Sequence, residues 1–144
     1  MDPRLALTVR NTLQESAQAS ARAQEYLDSQ AVPADVAYSV ALVIEELVTN
    51  TVQYGYTDAA EHLIEVLVTL TADEIVLLIK DDGREFDPLQ TPPPDLDLPV
   101  ADRPIGGLGI HLVHKVCTRL SYERRDRENL VTVRFDRNPP AAGE

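Results

Sequence analysis

Apolar side chains recur along this chain with two different periods, and the switches between them mark its elements. Leu5-Ala6-Leu7-Thr8-Val9-Arg10 alternates apolar with polar and predicts a short strand, after which Asn11 or Thr12 can cap a helix. Leu13, Ala17, Ala21 and Leu27 fall near one face of that helix, and the Ala, Gln and Glu around them favour helix to about Ser29. Val32-Pro33 breaks it, and Pro33 suits the first turn of a second helix. Val36, Val40, Val43, Ile44, Leu47 and Val48 form the buried stripe of this second helix. Tyr54-Gly55-Tyr56 closes it, with Gly55 suited to the left-handed conformation of a helix end.

Two β-branched, apolar runs follow, Leu63 to Thr71 and Ile75 to Lys80, separated by Ala72-Asp73-Glu74, and they predict an antiparallel hairpin. Residues 82 to about 105 contain Pro88, Pro92, Pro93, Pro94, Pro99 and Pro104, too Pro-rich for regular structure and long for a connection inside a small domain. After Gly106 and Gly107, the positions Ile110, Val113, Val116, Cys117 and Leu120 give a third helix an apolar face. Leu120 to Arg125 and Leu130 to Phe135 predict a closing hairpin around Asp126-Arg127-Glu128-Asn129. This order implies an α+β fold: a two-layer α/β sandwich with a mostly antiparallel sheet and the helices on one face.

The chain has 144 residues and 44% hydrophobic content, enough for a single core without disulfides or a structural metal. Its formal net charge of -11 repels nucleic acid and anionic membrane, so neither is expected as a direct partner. Polyphosphate would need local help from a divalent cation, a helix N-terminus or one or two Arg residues. Cys117 is the only cysteine and no run approaches the roughly 20 apolar residues of a membrane span, which predicts a cytoplasmic protein.

Against that background, candidate chemistry gathers at three places. Glu46 and Asn50, one helical turn apart, present a carboxylate and a carboxamide on one face: one can take a proton from a hydroxyl, the other can offer Mg²⁺ a hard neutral oxygen. In Lys80-Asp81-Asp82-Gly83-Arg84-Glu85-Phe86-Asp87-Pro88 a strand runs into acids and a glycine; an acid there can accept from an exocyclic amine, and the glycine allows close approach to a flat ring. In Ile105-Gly106-Gly107-Leu108-Gly109-Ile110 glycines open a helix, whose free N–H groups and positive dipole end favour phosphate.

Taken together, in this order and spacing, the three segments resemble the N, G1 and G2 boxes of the GHKL ATPase superfamily, which shares the Bergerat or histidine-kinase-like ATPase fold. The likeness covers roughly residues 5 to 136, read as a single ATP-binding kinase domain with flexible termini at 1–4 and 137–144. Glu46-Leu47-Val48-Thr49-Asn50 with Tyr54-Gly55-Tyr56 is similar to the N box of bacterial anti-sigma factor serine/threonine-protein kinases. Gly106-Gly107-Leu108-Gly109-Ile110 resembles their G2 box, Asp81-Asp82-Gly83 with Phe86-Asp87-Pro88 their G1 region, and Tyr122-Glu123-Arg124-Arg125 their penultimate strand.

The resemblance implies ATP and Mg²⁺ as ligands and a role for each matching residue. Glu46 would be the general base and Asn50 the Mg²⁺ ligand at the ATP phosphates. Asp81 would bind the adenine amino group, Gly83 would line the base pocket, and Gly107, Leu108 and Gly109 would cover the phosphates. Thr132 would make the family's water-mediated adenine contact. Residues 84 to 106, chiefly Leu89 to Ile105, would be the ATP lid, with Arg103 as a solvated charge or a contact to phosphate or partner. One departure is Glu85, which takes the second glycine position of Asp-x-Gly-x-Gly and can either narrow the pocket or point outward. By the same resemblance the chain would phosphorylate a STAS-domain anti-anti-sigma protein and bind a sigma factor, with room for a PP2C-type phosphatase in the pathway and for a homodimer. The alternative is a non-catalytic, nucleotide-gated protein-binding module of the same fold.

Overall fold

The computed structural model describes residues 2–88 and 107–140, with the backbone alone at 107–109. Strand β1 (Arg4–Arg10) leads into α1 (Leu13–Ser29), where Thr12 is the N-cap and its hydroxyl accepts the Glu15 N–H at 3.1 Å. Glu15 in turn accepts the Arg10 N–H at 2.9 Å, so the strand end and the helix start hold each other.

The inner face of α1 differs from the expected one. Of Leu13, Ala17, Ala21 and Leu27 only Leu27 is buried, together with Ser16, Ala19, Ser20 and Ala23, whereas Leu13 is 55% exposed. Small side chains let α1 lie close on α2 (Ala34–Tyr54), and the two serines bond its backbone and side chains. The Ser20 hydroxyl donates to the Ala41 carbonyl at 2.7 Å and that of Ser16 to the Glu45 carbonyl at 3.2 Å, while Ser16 and Thr49 hydroxyls meet at 2.9 Å. Helix α2 buries the whole stripe read from the sequence, Val36 through Val48. Pro33 is its N-cap rather than part of its first turn, and Gly55 ends it in a right-handed conformation (φ -81°, ψ -19°), not the left-handed one.

Strands β2 (Leu63–Leu70) and β3 (Glu74–Asp81) form the first hairpin; α3 (Gly107–Val116), β4 (Arg119–Arg125) and β5 (Glu128–Asp136) complete the chain. The sheet order is β1-β2-β3-β5-β4, and every neighbouring pair is antiparallel. Alternate residues of β2, β3 and β5 are buried, among them Ile64, Leu77, Val133 and Phe135, so one face of the sheet carries the core and the helices. The two-layer α+β architecture expected from the element order is the one observed. Leu120, read both as helix face and as strand start, belongs to β4.

The last hairpin is tighter than its sequence suggests. Asp126 (φ 52°) and Arg127 (φ 68°) both take positive φ, as a two-residue type I′ turn requires, and so Glu128 and Asn129 belong to β5 instead of the turn. That register sets Asn129 directly opposite Asp81 on β3. No described helix is long and apolar enough to cross a membrane. The expected lid from residue 89 onward, Arg103 and Gly106 within it, and the end of the C-terminal tail at 141–144 lie outside the described residues.

Candidate functional site

Helix α2 supplies one wall. Val43, Ile44, Leu47 and Val48 anchor it in the core, which sets Glu46 and Asn50 one turn apart at the edge of that core. Asn50 is 4% exposed, and its carboxamide Oδ1 is buried with no hydrogen-bond partner. An amide oxygen in that condition costs stability and leaves an unused acceptor that a ligand or ion could satisfy. Glu46 is half-buried; burial, and secondarily the negative charge of Glu45, raise its carboxyl above the usual pKa. Glu45 itself is exposed, so the two neighbours divide into a desolvated acid and a solvated one.

Gln53, one turn beyond Asn50, also has a buried Oε1 without a partner, as does the Tyr56 hydroxyl at the helix exit. The Tyr56 ring stacks on His62 with centroids 4.2 Å apart, and burial, ahead of the nearby Asp81 charge, pushes its phenol pKa up. Neither residue stands out in the sequence, because a Gln late in a helix and a Tyr after a Gly read as surface and as packing.

The second wall is the end of β3. Asp81 is 5% exposed and accepts, on Oδ1, the Gly83 N–H at 2.9 Å and the Asn129 Nδ2–H at 2.9 Å. Burial raises its pKa, and the Asn129 and Gly83 hydrogen bonds oppose that rise. Gly83 has a structural reason of its own: a Cβ there would stand 2.3 Å from the Gly55 carbonyl oxygen. The absent side chain lets the turn after β3 lie against the end of α2, where Arg84 donates its N–H to Gly55 O at 2.7 Å and its Nε–H to Tyr54 O at 2.5 Å. Glu85 is exposed and takes no part in the pocket wall, so of the two options the sequence leaves open it is the outward one that occurs.

Asn50, Asp81, Phe86, Pro88, Asn129 and Val131 share a narrow cavity of about 10 Å³, room for one water. A space of that size does not admit a planar ring without movement of its lining. Phe86 packs near Tyr54 with centroids 6.0 Å apart, so its position is tied to the end of α2. Asn50 and Asp81 thus line one space.

Thr132 is not brought there. It pairs with Leu78 and Ser121 on the sheet face turned away from the helices, while its neighbour Val131 is the residue on the cavity. Strand alternation alone decides this: adjacent residues project to opposite faces. Gly107, Leu108 and Gly109 form the first turn of α3, which packs on α2, so the glycine-led helix start belongs to the same layer as Glu46 and Asn50. Among the described residues no group of three His, Cys, Asp or Glu side chains converges as a metal site.

Residues 9–135 match the family model described as the histidine kinase-like ATPase domain. A 96-residue stretch is 31% identical to the serine/threonine-protein kinase BtrW of Bordetella bronchiseptica, over 67% of this chain and 68% of that one. Among solved structures, the RsbU and RsbW domains of Rv1364c from Mycobacterium tuberculosis superpose with a TM-score of 0.70 at 18% identity, over 96% of this chain and 34% of that one. The chain therefore spans about a third of that structure. The histidine kinase domain of a blue-light activated histidine kinase from Erythrobacter litoralis gives a TM-score of 0.55 at 16% identity, over 85% of this chain and 61% of that one. At these identities the two structural likenesses speak to the fold alone.

Proposed function

The chain belongs to the histidine kinase-like ATPase domain family, and on that premise we propose that it binds ATP with Mg²⁺ and transfers the γ-phosphate to a serine or threonine of a partner protein. The observation that carries this reading is Asn50: a buried amide oxygen without a partner, one turn from a half-buried carboxylate. Both groups are costly where they stand and both suit a phosphoryl-transfer site. The relative from Bordetella bronchiseptica bears the name of a serine/threonine-protein kinase, which supports the same class.

In this reading Glu46 accepts the proton of the attacking hydroxyl; its raised pKa brings it closer to the range in which a general base works. Asn50 Oδ1 is the protein ligand for Mg²⁺, which suits a cation that prefers few protein oxygens beside phosphate and water. A Mg²⁺ held by Asn50 would supply charge that neutralises the phosphates. Asp81 accepts from the adenine amino group, and Gly83 keeps the turn beside it close. The first turn of α3, Gly107 to Gly109, offers N–H groups to phosphate. The partners that fit the reading are a STAS-domain anti-anti-sigma protein as phosphoacceptor and a sigma factor as the protein sequestered.

The test is direct. Purified chain, Mg·ATP and a STAS-domain protein are incubated, and the STAS protein is expected to gain the mass of one phosphate, while Glu46→Gln binds ATP as before and transfers at least about 100-fold more slowly. Transfer by Glu46→Gln at the unmodified rate would refute the base assignment. Tight ATP binding with no transfer by the unmodified chain would favour the nucleotide-gated binding module.

A further inference from the structure

His62 closes the connection between α2 and β2, and the proposed chemistry makes no use of it. Its main chain is pinned to the β1–α1 connection: the N–H donates to Asn11 Oδ1 at 3.0 Å and the carbonyl accepts the Asn11 N–H at 3.1 Å. Its ring lies 11° from parallel on Tyr56, and the side chain is 21% exposed. Nε2 stands 2.8 Å from Asp58 Oδ1 and Nδ1 3.5 Å from Asp82 Oδ1, so one imidazole bridges two carboxylates. A neutral imidazole has a single N–H and would turn a lone pair on one of them; only the imidazolium can donate to both. Asp58 is fixed in turn by the Ala60 N–H at 2.9 Å, and Asp82 is the residue between Asp81 and Gly83. The bridge therefore joins the exit of α2 to the turn that follows β3.

From this geometry we propose that His62 is a proton-operated clasp and a positioning residue: as the imidazolium it ties Asp58 to Asp82 and steadies the turn beside the nucleotide site, and on losing its proton it releases one of the two carboxylates. Its effect on nucleotide binding rests on the ATP reading of the site; the clasp itself does not. The surroundings favour the charged form. The hydrogen bond to Asp58 is the first cause that raises the His62 pKa, burial opposes the rise, and Asp82 adds to it. A cavity of about 400 Å³ beside the ring sets further charges against it: Glu61 from its own connection, Glu65 from β2, Lys80 from β3 and Glu128 from β5. Lys80 is engaged by Glu65 at 2.8 Å and Glu128 at 3.8 Å, and Arg10 of β1 by Glu61 at 3.7 Å, so carboxylates outnumber cations around the ring. Asp58 and Asp82 are 56% and 59% exposed, which makes each contact a surface pair whose loss changes an affinity by a few fold rather than by orders of magnitude.

The experiment first follows the His62 Cε1–H signal by NMR in the full chain, folded and unfolded in urea, with pH as the variable and His62→Gln as the assignment. The folded midpoint is expected above the unfolded one and is expected to fall in Asp82→Asn, an exposed position; equal midpoints, or no fall in Asp82→Asn, would overturn the clasp. A raised native pKa gives stability that is fully present below the unfolded pKa and is lost as pH rises through the native one, so the melting advantage over His62→Gln should narrow as pH rises. Calorimetry with Mg·ATP then reads the coupling. Between the acid and alkaline sides of the His62 midpoint the unmodified chain is expected to lose about 2- to 5-fold in affinity relative to His62→Gln, which has no proton to lose. His62→Arg, whose planar cation can stack on Tyr56 and keeps its charge, is expected to restore the affinity on the alkaline side. If the unmodified chain binds no Mg·ATP, the ATP reading falls and the coupling with it, while the two midpoints still decide the clasp. If it binds and its affinity relative to His62→Gln stays constant with pH, the positioning role of His62 alone is refuted.

Discussion

Gly55 and Gly83 meet backbone to backbone, and the contact joins the end of the helix that carries Asn50 to the turn that follows Asp81. A Cβ on Gly83 would stand 2.3 Å from Gly55 O and 3.0 Å from Asp81 Oδ1, and the first of these neighbours is main chain held by the Arg84 N–H at 2.7 Å. Gly83→Ala is therefore expected to cost about 1–3 kcal/mol in urea unfolding and to weaken nucleotide binding by shifting Asp81. A fully stable Gly83→Ala with unchanged affinity would show that the two elements slide freely.

The helix pair makes a second prediction through its small residues. Ser20→Ala loses a buried hydrogen bond to Ala41 O at 2.7 Å and should cost about 1 kcal/mol. Ser20→Leu, which a hydrophobicity argument would favour on an inner face, should cost about 1–3 kcal/mol because α1 lies too close on α2 to admit it. The order of the two midpoints in urea tests close packing: a leucine variant more stable than the alanine one would contradict it.

Those serines also show what could be read in the sequence. The α2 stripe was legible, since six apolar residues at helical spacing leave no other face to bury, and with it came the Glu46 and Asn50 pair. The inner face of α1 was not, because its buried residues are alanines and serines while its leucine at position 13 is exposed. Two departures from the expected arrangement, at Asn129 and Thr132, share one cause, strand register. Asn129 was read as turn because Asp126-Arg127-Glu128-Asn129 is uniformly polar, yet the turn needs only its first two residues. The resemblance alone sets Thr132 at the base, but inward and outward positions on a strand alternate residue by residue, and Val131 has the inward place. Asp81 was legible because it stands at the boundary between an apolar strand and a glycine.

Asp81 makes the third prediction, in which stability and binding oppose each other. Burial raises its pKa above the ordinary carboxylate value, so the native chain holds this proton more tightly than the unfolded one. The associated stability is fully present below the unfolded pKa and is lost as pH rises through the higher native value. Asp81→Asn keeps an Oδ1 for the Gly83 and Asn129 donors and carries no charge to desolvate. Without nucleotide it should melt higher than the unmodified chain at pH 7, with the difference narrowing as pH falls. Its ATP affinity should drop roughly 100-fold, because an amide N–H would then face the base amine. Equal melting temperatures across pH would mean that the buried carboxylate carries no desolvation cost.

The last prediction concerns the pH dependence of the proposed transfer and separates Glu46 from its neighbour. Burial is the first cause of the raised Glu46 pKa and the charge of Glu45 the second. A protonated Glu46 cannot take the hydroxyl proton, so the transfer rate should fall as pH drops through its raised pKa. Glu45→Gln removes the adjacent negative charge and should move that acid limb to lower pH, leaving the plateau rate within about twofold, since the burial of Glu46 is untouched. The Glu45 side chain is exposed, and the bond that Ser16 makes at this position is to the main-chain carbonyl, so the fold is expected to tolerate the change. The measurement is the single-turnover rate from pH 4 to 8 for both proteins. An acid limb that stays in place in Glu45→Gln would mean that the group titrating in that limb is not the carboxylate beside it.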